Sequence, residues 1–193
     1  MKKPTAVFVP GLRDHVPDHW QSLLQARMPG SICVPRLGKE NLALHTWVQA
    51  LDATIRSVGG PVVLVAHSAG VMMVVNWALA HIGPVRAALL AAPPDFAAGL
   101  PAGYPSREAL AQNGWMPVPR VPLPFRSIVV GSTNDPLASL ERAAAFAQDW
   151  GSELCIAGAV GHLNPAAGFG EWPQAIELLR KLGLEVEPAA AAA

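Results

Sequence analysis

Three polar residues stand where apolar stretches of the chain give out: Ser68 in "VVLVAHSAG", Asp135 in "SIVVGSTNDP" and His162 in "CIAGAVGHLNP". A serine hydroxyl becomes a nucleophile when an imidazole takes its proton. The imidazole in turn needs a carboxylate to hold its tautomer and stabilise its charge. Singly, each residue has a plainer reading: Ser68 as a helix N-cap, Asp135 as a helix cap, His162 as a loop histidine. Their order, serine then acid then histidine, each after a separate apolar run, is one of the chain orders in which a parallel sheet delivers a triad.

The surroundings of Ser68 carry the steric signature of a strand-turn-helix nucleophile site, normally written G-x-S-x-G. Small residues two before and two after the serine let strand and helix backbones approach each other. Gly70 satisfies the second position, and Ala66 stands at the first, one methyl larger than glycine. "VFVPGL" ends in a tight Pro10-Gly11-Leu12 turn. If that turn lies beside Ser68, the main-chain N–H groups of Leu12 and Ala69 are placed to hold an oxyanion.

Six Val/Ile/Leu/Ala-rich runs are read as strands: Thr5–Val9, Ser31–Val34, Val62–Ala66, Val85–Ala91, Arg126–Val130 and Glu153–Ala157. They lack polar alternation, as strands covered on both faces do. Helical spacing separates them over Asp18–Arg27, His45–Val58, Ala69–His81, Leu137–Trp150 and Pro173–Leu182. Regular alternation of the two predicts a doubly wound α/β fold of about six parallel strands flanked by helices, with 2-1-3-4-5-6 as its candidate strand order. The topological switch point then falls between strands one and three, where Ser68 and the Gly11-Leu12 turn meet.

The alternation breaks at Pro93–Pro124, which contains eight prolines and reads as a lid or binding loop with a short helix near Ser106–Gln112. Phe96 and Trp115 within it, and Trp20 outside it, are candidates for shaping an apolar substrate site; ordinary core is the alternative for all three. Residues 1–184 are expected to form one domain and 185–193 an Ala-rich flexible tail.

Half of the 193 residues are apolar (51%), and 14 basic residues balance 14 acidic ones. This composition suits a globular core and argues against disorder and against a nucleic-acid surface. Val62–Leu79 approaches membrane-spanning length but holds His67, Ser68 and Asn76 in its interior. The opening "MKKPTAVFVPGL" has too short an apolar stretch for a signal peptide, so a cytoplasmic protein is expected. Cys33 and Cys155 read as buried free thiols, with a disulfide left open by their spacing. "RDHVPDHW" sets His15 and His19 four apart beside Asp14 and Asp18, but Pro17 interrupts the helix that would align them, so no metal site is expected. Asp95, after the fourth strand, is the rival to Asp135 as the acid.

"VPGLRDHVPDHWQSLL", "VAHSAG", "GSTNDP" and "GHLNPAAGFGEWP" together resemble the small serine hydrolases related to retinoblastoma-binding protein 9, compact members of the α/β-hydrolase superfamily. The resemblance runs to about Leu184. It implies Ser68, Asp135 and His162 as triad, carboxylesterase-like cleavage of small acyl esters through an acyl-enzyme, and no cofactor. The L-x-C-x-E motif for retinoblastoma binding is absent, so that partner does not carry over; a small-molecule ester is the expected partner, with no nucleic acid and no membrane. The same residues also allow a thioesterase or acyltransferase, or a non-catalytic binding module on the same fold.

Overall fold

Within each central strand, successive side chains enter two different cores. The computed structural model describes residues 2–12, 16–35, 37–38 and 40–186. Its six strands are β1 (Thr5–Val9), β2 (Ile32–Cys33), β3 (Val62–His67), β4 (Val85–Ala91), β5 (Arg126–Gly131) and β6 (Glu153–Ile156). All pair in parallel in the order β2-β1-β3-β4-β5-β6. Val62, Leu64 and Ala66 of β3 enter one core, with Val7 and Val9 of β1. Val63 and Val65 enter the other, with Ala6 and Phe8. Both faces are dry, which is why these strands carry no polar alternation.

The helices are α1 (Trp20–Ala26), α2 (Leu44–Ser57), α3 (Ala69–Ala80), α4 (Arg107–Gln112), α5 (Leu140–Trp150) and α6 (Pro173–Lys181). Buried residues of α2, α3 and α5 fill the first core, and those of α1 and α6 fill the second. Helix α3 is buried on nearly every side over its first two turns. It is a core helix of 12 residues, and among the described residues no helix is long and apolar enough to cross a membrane.

Differences from the expected elements have local causes. Helix α1 starts at Trp20 because His19, rather than Asp18, caps it: its Nδ1 accepts the Gln21 N–H at 3.2 Å. Helix α5 starts at Leu140, three residues late. Asp135 Oδ1 accepts the Leu137 N–H at 2.8 Å in a side-chain-closed turn, and Ser139 then caps the helix. Strand β2 shrinks to two residues, pairing with Val7 and Phe8. The packed chain passes the expected boundary at 184: Val186 is buried, and its carbonyl accepts from Arg180. Cys33 and Cys155 are half-buried rather than fully buried. They occupy the opposite edge strands, five strand spacings or about 24 Å apart, so no disulfide joins them.

Candidate active site

At the end of β3 the chain turns into α3 through Ser68, whose backbone is held at φ 56°, ψ −126°. Such a conformation costs a non-glycine residue about 1–3 kcal/mol and persists only where its surroundings enforce it. Here the Ser68 N–H donates to Ala91 O of β4 at 2.9 Å, and Ser68 O accepts from Val71 N at 2.9 Å. A β-carbon on Gly70 would lie 2.7 Å from Pro10 O and 2.9 Å from Val9 C. Glycine is required there by the carbonyl end of β1. Ala66 packs fully buried in the α2/α3 core, and its methyl is accommodated. Gly11 leaves room on the other side, since a β-carbon there would sit 3.0 Å from Ser68 Cβ.

The turn after β5 carries Asp135, and the loop after β6 carries His162; both side chains are almost wholly buried. His162 Nδ1 donates to Asp135 Oδ2 at 2.8 Å, with Oδ1 at 3.0 Å. The Nδ1 proton facing the carboxylate leaves Nε2 with its lone pair, which accepts the Ser68 hydroxyl at 2.8 Å. Three residues far apart in sequence thus meet in one hydrogen-bonded chain at the carboxyl edge of the sheet. Asp95, the rival acid, is engaged elsewhere: its Oδ1 accepts from the N–H groups of Ala97 and Ala98, and its Oδ2 pairs with Arg142 at 2.7 Å.

The two loops are also tied to each other. Asn134 Oδ1 accepts the Gly161 N–H at 2.7 Å. Ser132 Oγ accepts from Val160 N at 3.2 Å and donates to Asn134 at 2.9 Å. Both residues lie in the "GSTNDP" stretch, where spacing marks the acid but leaves no sign of the hydroxyl and amide that support its loop. Gln21 was likewise missed. Its buried amide donates to Val9 O at 3.2 Å and Val65 O at 2.8 Å, satisfying carbonyls near the ends of β1 and β3. A polar residue inside the stripe Trp20, Leu23, Leu24 was the available signal.

A cavity of about 250 Å³ opens over Ser68 and His162. Gly11, Leu12 and Ala69 line it beside the serine, while Phe96, Leu100 and Tyr104 from the proline-rich segment and Leu137 give it an apolar wall. Of the three aromatic candidates, Phe96 lines the cavity and Trp20 and Trp115 do not. Trp115 packs behind Phe96 at 5.9 Å between ring centres and donates its indole N–H to Leu42 O. Trp20 packs edge-on against Trp172 at 4.8 Å and His67 at 6.1 Å. Large aromatics next to a site in sequence were drawn instead into the two cores, where they bury most area. The metal reading of "RDHVPDHW" rests partly on 13–15, which lie outside the described residues. His19 caps α1, and among the described residues no cluster of metal-ligating side chains forms.

A parallel six-stranded sheet with a positive-φ serine between its third strand and the next helix is the architecture of an α/β hydrolase. The chain belongs to the serine hydrolase family, whose model matches residues 6–181. A comparison with curated proteins finds no match. Among solved structures, a protein described as a YdeN-like hydrolase from Pectobacterium atrosepticum is similar, with a TM-score of 0.80 and 29% identity, covering 94% of this chain and 91% of that one. The ydeN product of B. subtilis matches at TM-score 0.72 and 18% identity over 94% and 98%. An esterase from Thermogutta terrifontis matches at 0.62 and 15% over 94% and 91%. The last two likenesses show the shared fold.

Proposed function

We propose that this serine hydrolase cleaves small carboxylic esters through an acyl-enzyme on Ser68. The observation that carries the reading is the unbroken chain Ser68 Oγ–His162 Nε2, His162 Nδ1–Asp135, with both links at 2.8 Å and both partners of the serine buried. Ser68 Oγ attacks the ester carbonyl as its proton passes to His162 Nε2. Asp135 holds the imidazole and stabilises its positive charge. The oxyanion is received by the N–H groups of Leu12 and Ala69. Both residues border the cavity beside Ser68, and Ala69 opens α3, where the first N–H groups have no partner within the helix. Collapse breaks the bond to the leaving oxygen, which takes the proton from His162. Water then attacks the acyl-enzyme, giving its proton to the same nitrogen, and the carboxylic acid leaves as Ser68 is restored.

Two tests bear on this reading. A fluorophosphonate should label Ser68 alone, and labelling should vanish in Ser68→Ala. On a panel of p-nitrophenyl esters, Ser68→Ala should lose about 10⁴-fold or more in kcat/KM. An unlabelled folded protein, or a Ser68→Ala variant with parental turnover, overturns the reading. Parallel assays with acyl thioesters, and with alcohols as competing acceptors, separate the thioesterase and acyltransferase forms of the same chemistry.

A further inference from the structure

The direction of His67 follows from strand alternation. Val63 and Val65 of β3 face the α1/α6 core, and position 67 continues that series. Its imidazole is buried there among three rings: His19 at 4.6 Å, Trp20 at 6.1 Å and His162 at 4.9 Å between centres. His67 Nε2 lies 2.9 Å from the main-chain carbonyl of His162. A carbonyl only accepts, so Nε2 carries the proton and the tautomer is settled by the partner.

We propose that His67 is a positioning residue for the base: it fixes the main chain of His162 while Ser68 engages the ring. This rests on the reading of Ser68, His162 and Asp135 as the reacting groups. Two consecutive residues, His67 and Ser68, thereby grip one residue at both ends. The loop needs such a grip. His162 sits between Gly161 at φ 57° and Leu163 at φ 50°, and the second is a conformation a leucine adopts only under constraint.

Among the described residues, three side chains from outside the loop tie down the main chain of 160–162. Those of Ser132 and Asn134 connect it to the turn that bears Asp135. Of these three main-chain anchors, the one from His67 runs to the turn that bears Ser68, and beside the Ser68–His162 hydrogen bond it holds nucleophile and base together. Burial, and the neighbouring His162 and His19, push the His67 pKa well below its ordinary value, which keeps this ring neutral beside an imidazole that must become charged.

The test is the rate of fluorophosphonate inactivation, resolved into kinact and KI, for the parent protein, His67→Phe, His67→Gln and His67→Asn. A phenyl ring matches the imidazole in bulk and donates nothing. The glutamine amide reaches the Nε2 position, and the asparagine amide reaches only that of Nδ1. Removing the donor should lower kinact by about 10- to 100-fold, with KI within about two-fold. Glutamine should recover most of that loss, and asparagine should not. If the phenylalanine variant does not fold, the comparison of glutamine with asparagine carries the test. Phenylalanine or asparagine reacting at the parental rate, or glutamine reacting no faster than they do, overturns the proposal. A parent protein that is not labelled at Ser68 overturns the nucleophile reading instead, so the two failures are distinguishable.

Discussion

Replacing Gly70 by alanine should damage stability and reactivity together. The added methyl would meet Val9 O first, with Pro10 O at 2.7 Å and Val9 C at 2.9 Å. Carbon prefers about 3.5 Å or more from its neighbours, so the start of α3 and the end of β1 must part by nearly 1 Å. Both sides are main chain, and no side chain can swing away. Overpacking of this kind costs about 1–3 kcal/mol. In a chain of this length, about 2 kcal/mol corresponds to a melting point lower by about 4–8 °C. The displacement falls between Ser68-Ala69 and Gly11-Leu12, where the proposed oxyanion donors meet, and a 1 Å misplacement there is worth about 100-fold in rate. Differential scanning fluorimetry and the fluorophosphonate labelling rate read the two effects. A Gly70→Ala protein that melts within a degree or so of the parent and is labelled within about two-fold of its rate would refute the reasoning.

Asp135→Asn should slow labelling by about 10⁴-fold, because the amide cannot hold the Nδ1-protonated tautomer of His162. Asp95→Asn should leave labelling within a few-fold and lower the melting point by a few degrees through loss of the Arg142 pair; the opposite pattern would exchange their roles. Folding stability should also fall in mild acid because of His67. Its folded pKa is depressed, so the unfolded chain binds the extra proton first. Stability is full above the unfolded value of about 6.5 and is lost as pH drops from there toward the folded value. His67→Gln should flatten that part of a urea-melt pH profile, and an unchanged slope would contradict the assignment.

The site was more legible in the sequence than the walls around it. Ser68, Asp135 and His162 each follow an apolar run, and in a parallel sheet every such run ends on the same edge; chain order alone left Asp95 as a second acid there, and the packing that gives Asp95 to Arg142 and Asp135 to His162 separates them. Gly70 was legible because only glycine fits a backbone contact. Asn134, Ser132 and Gln21 were not, since a polar side chain that closes a loop or satisfies a strand-end carbonyl follows no period. The aromatic candidates failed for a related reason: composition shows that Trp20 and Trp115 are large and apolar, but which side of a packed layer they join depends on tertiary partners. The boundaries of α1 and α5 moved because His19 and Ser139 outcompeted the expected caps.

Asp95 closes its own turn and clasps Arg142 on α5, and its neighbour Phe96 forms part of the cavity wall. The Asp95 main-chain N–H also donates to Leu137 O at 2.8 Å, and the Leu137 N–H is in turn held by Asp135 Oδ1 at 2.8 Å, so this panel of the chamber is pinned both to α5 and to the turn that carries the acid. Wall and floor thus share one span of main chain, and a substitution at 95 that shifted the backbone would be transmitted through Leu137 to the turn beneath.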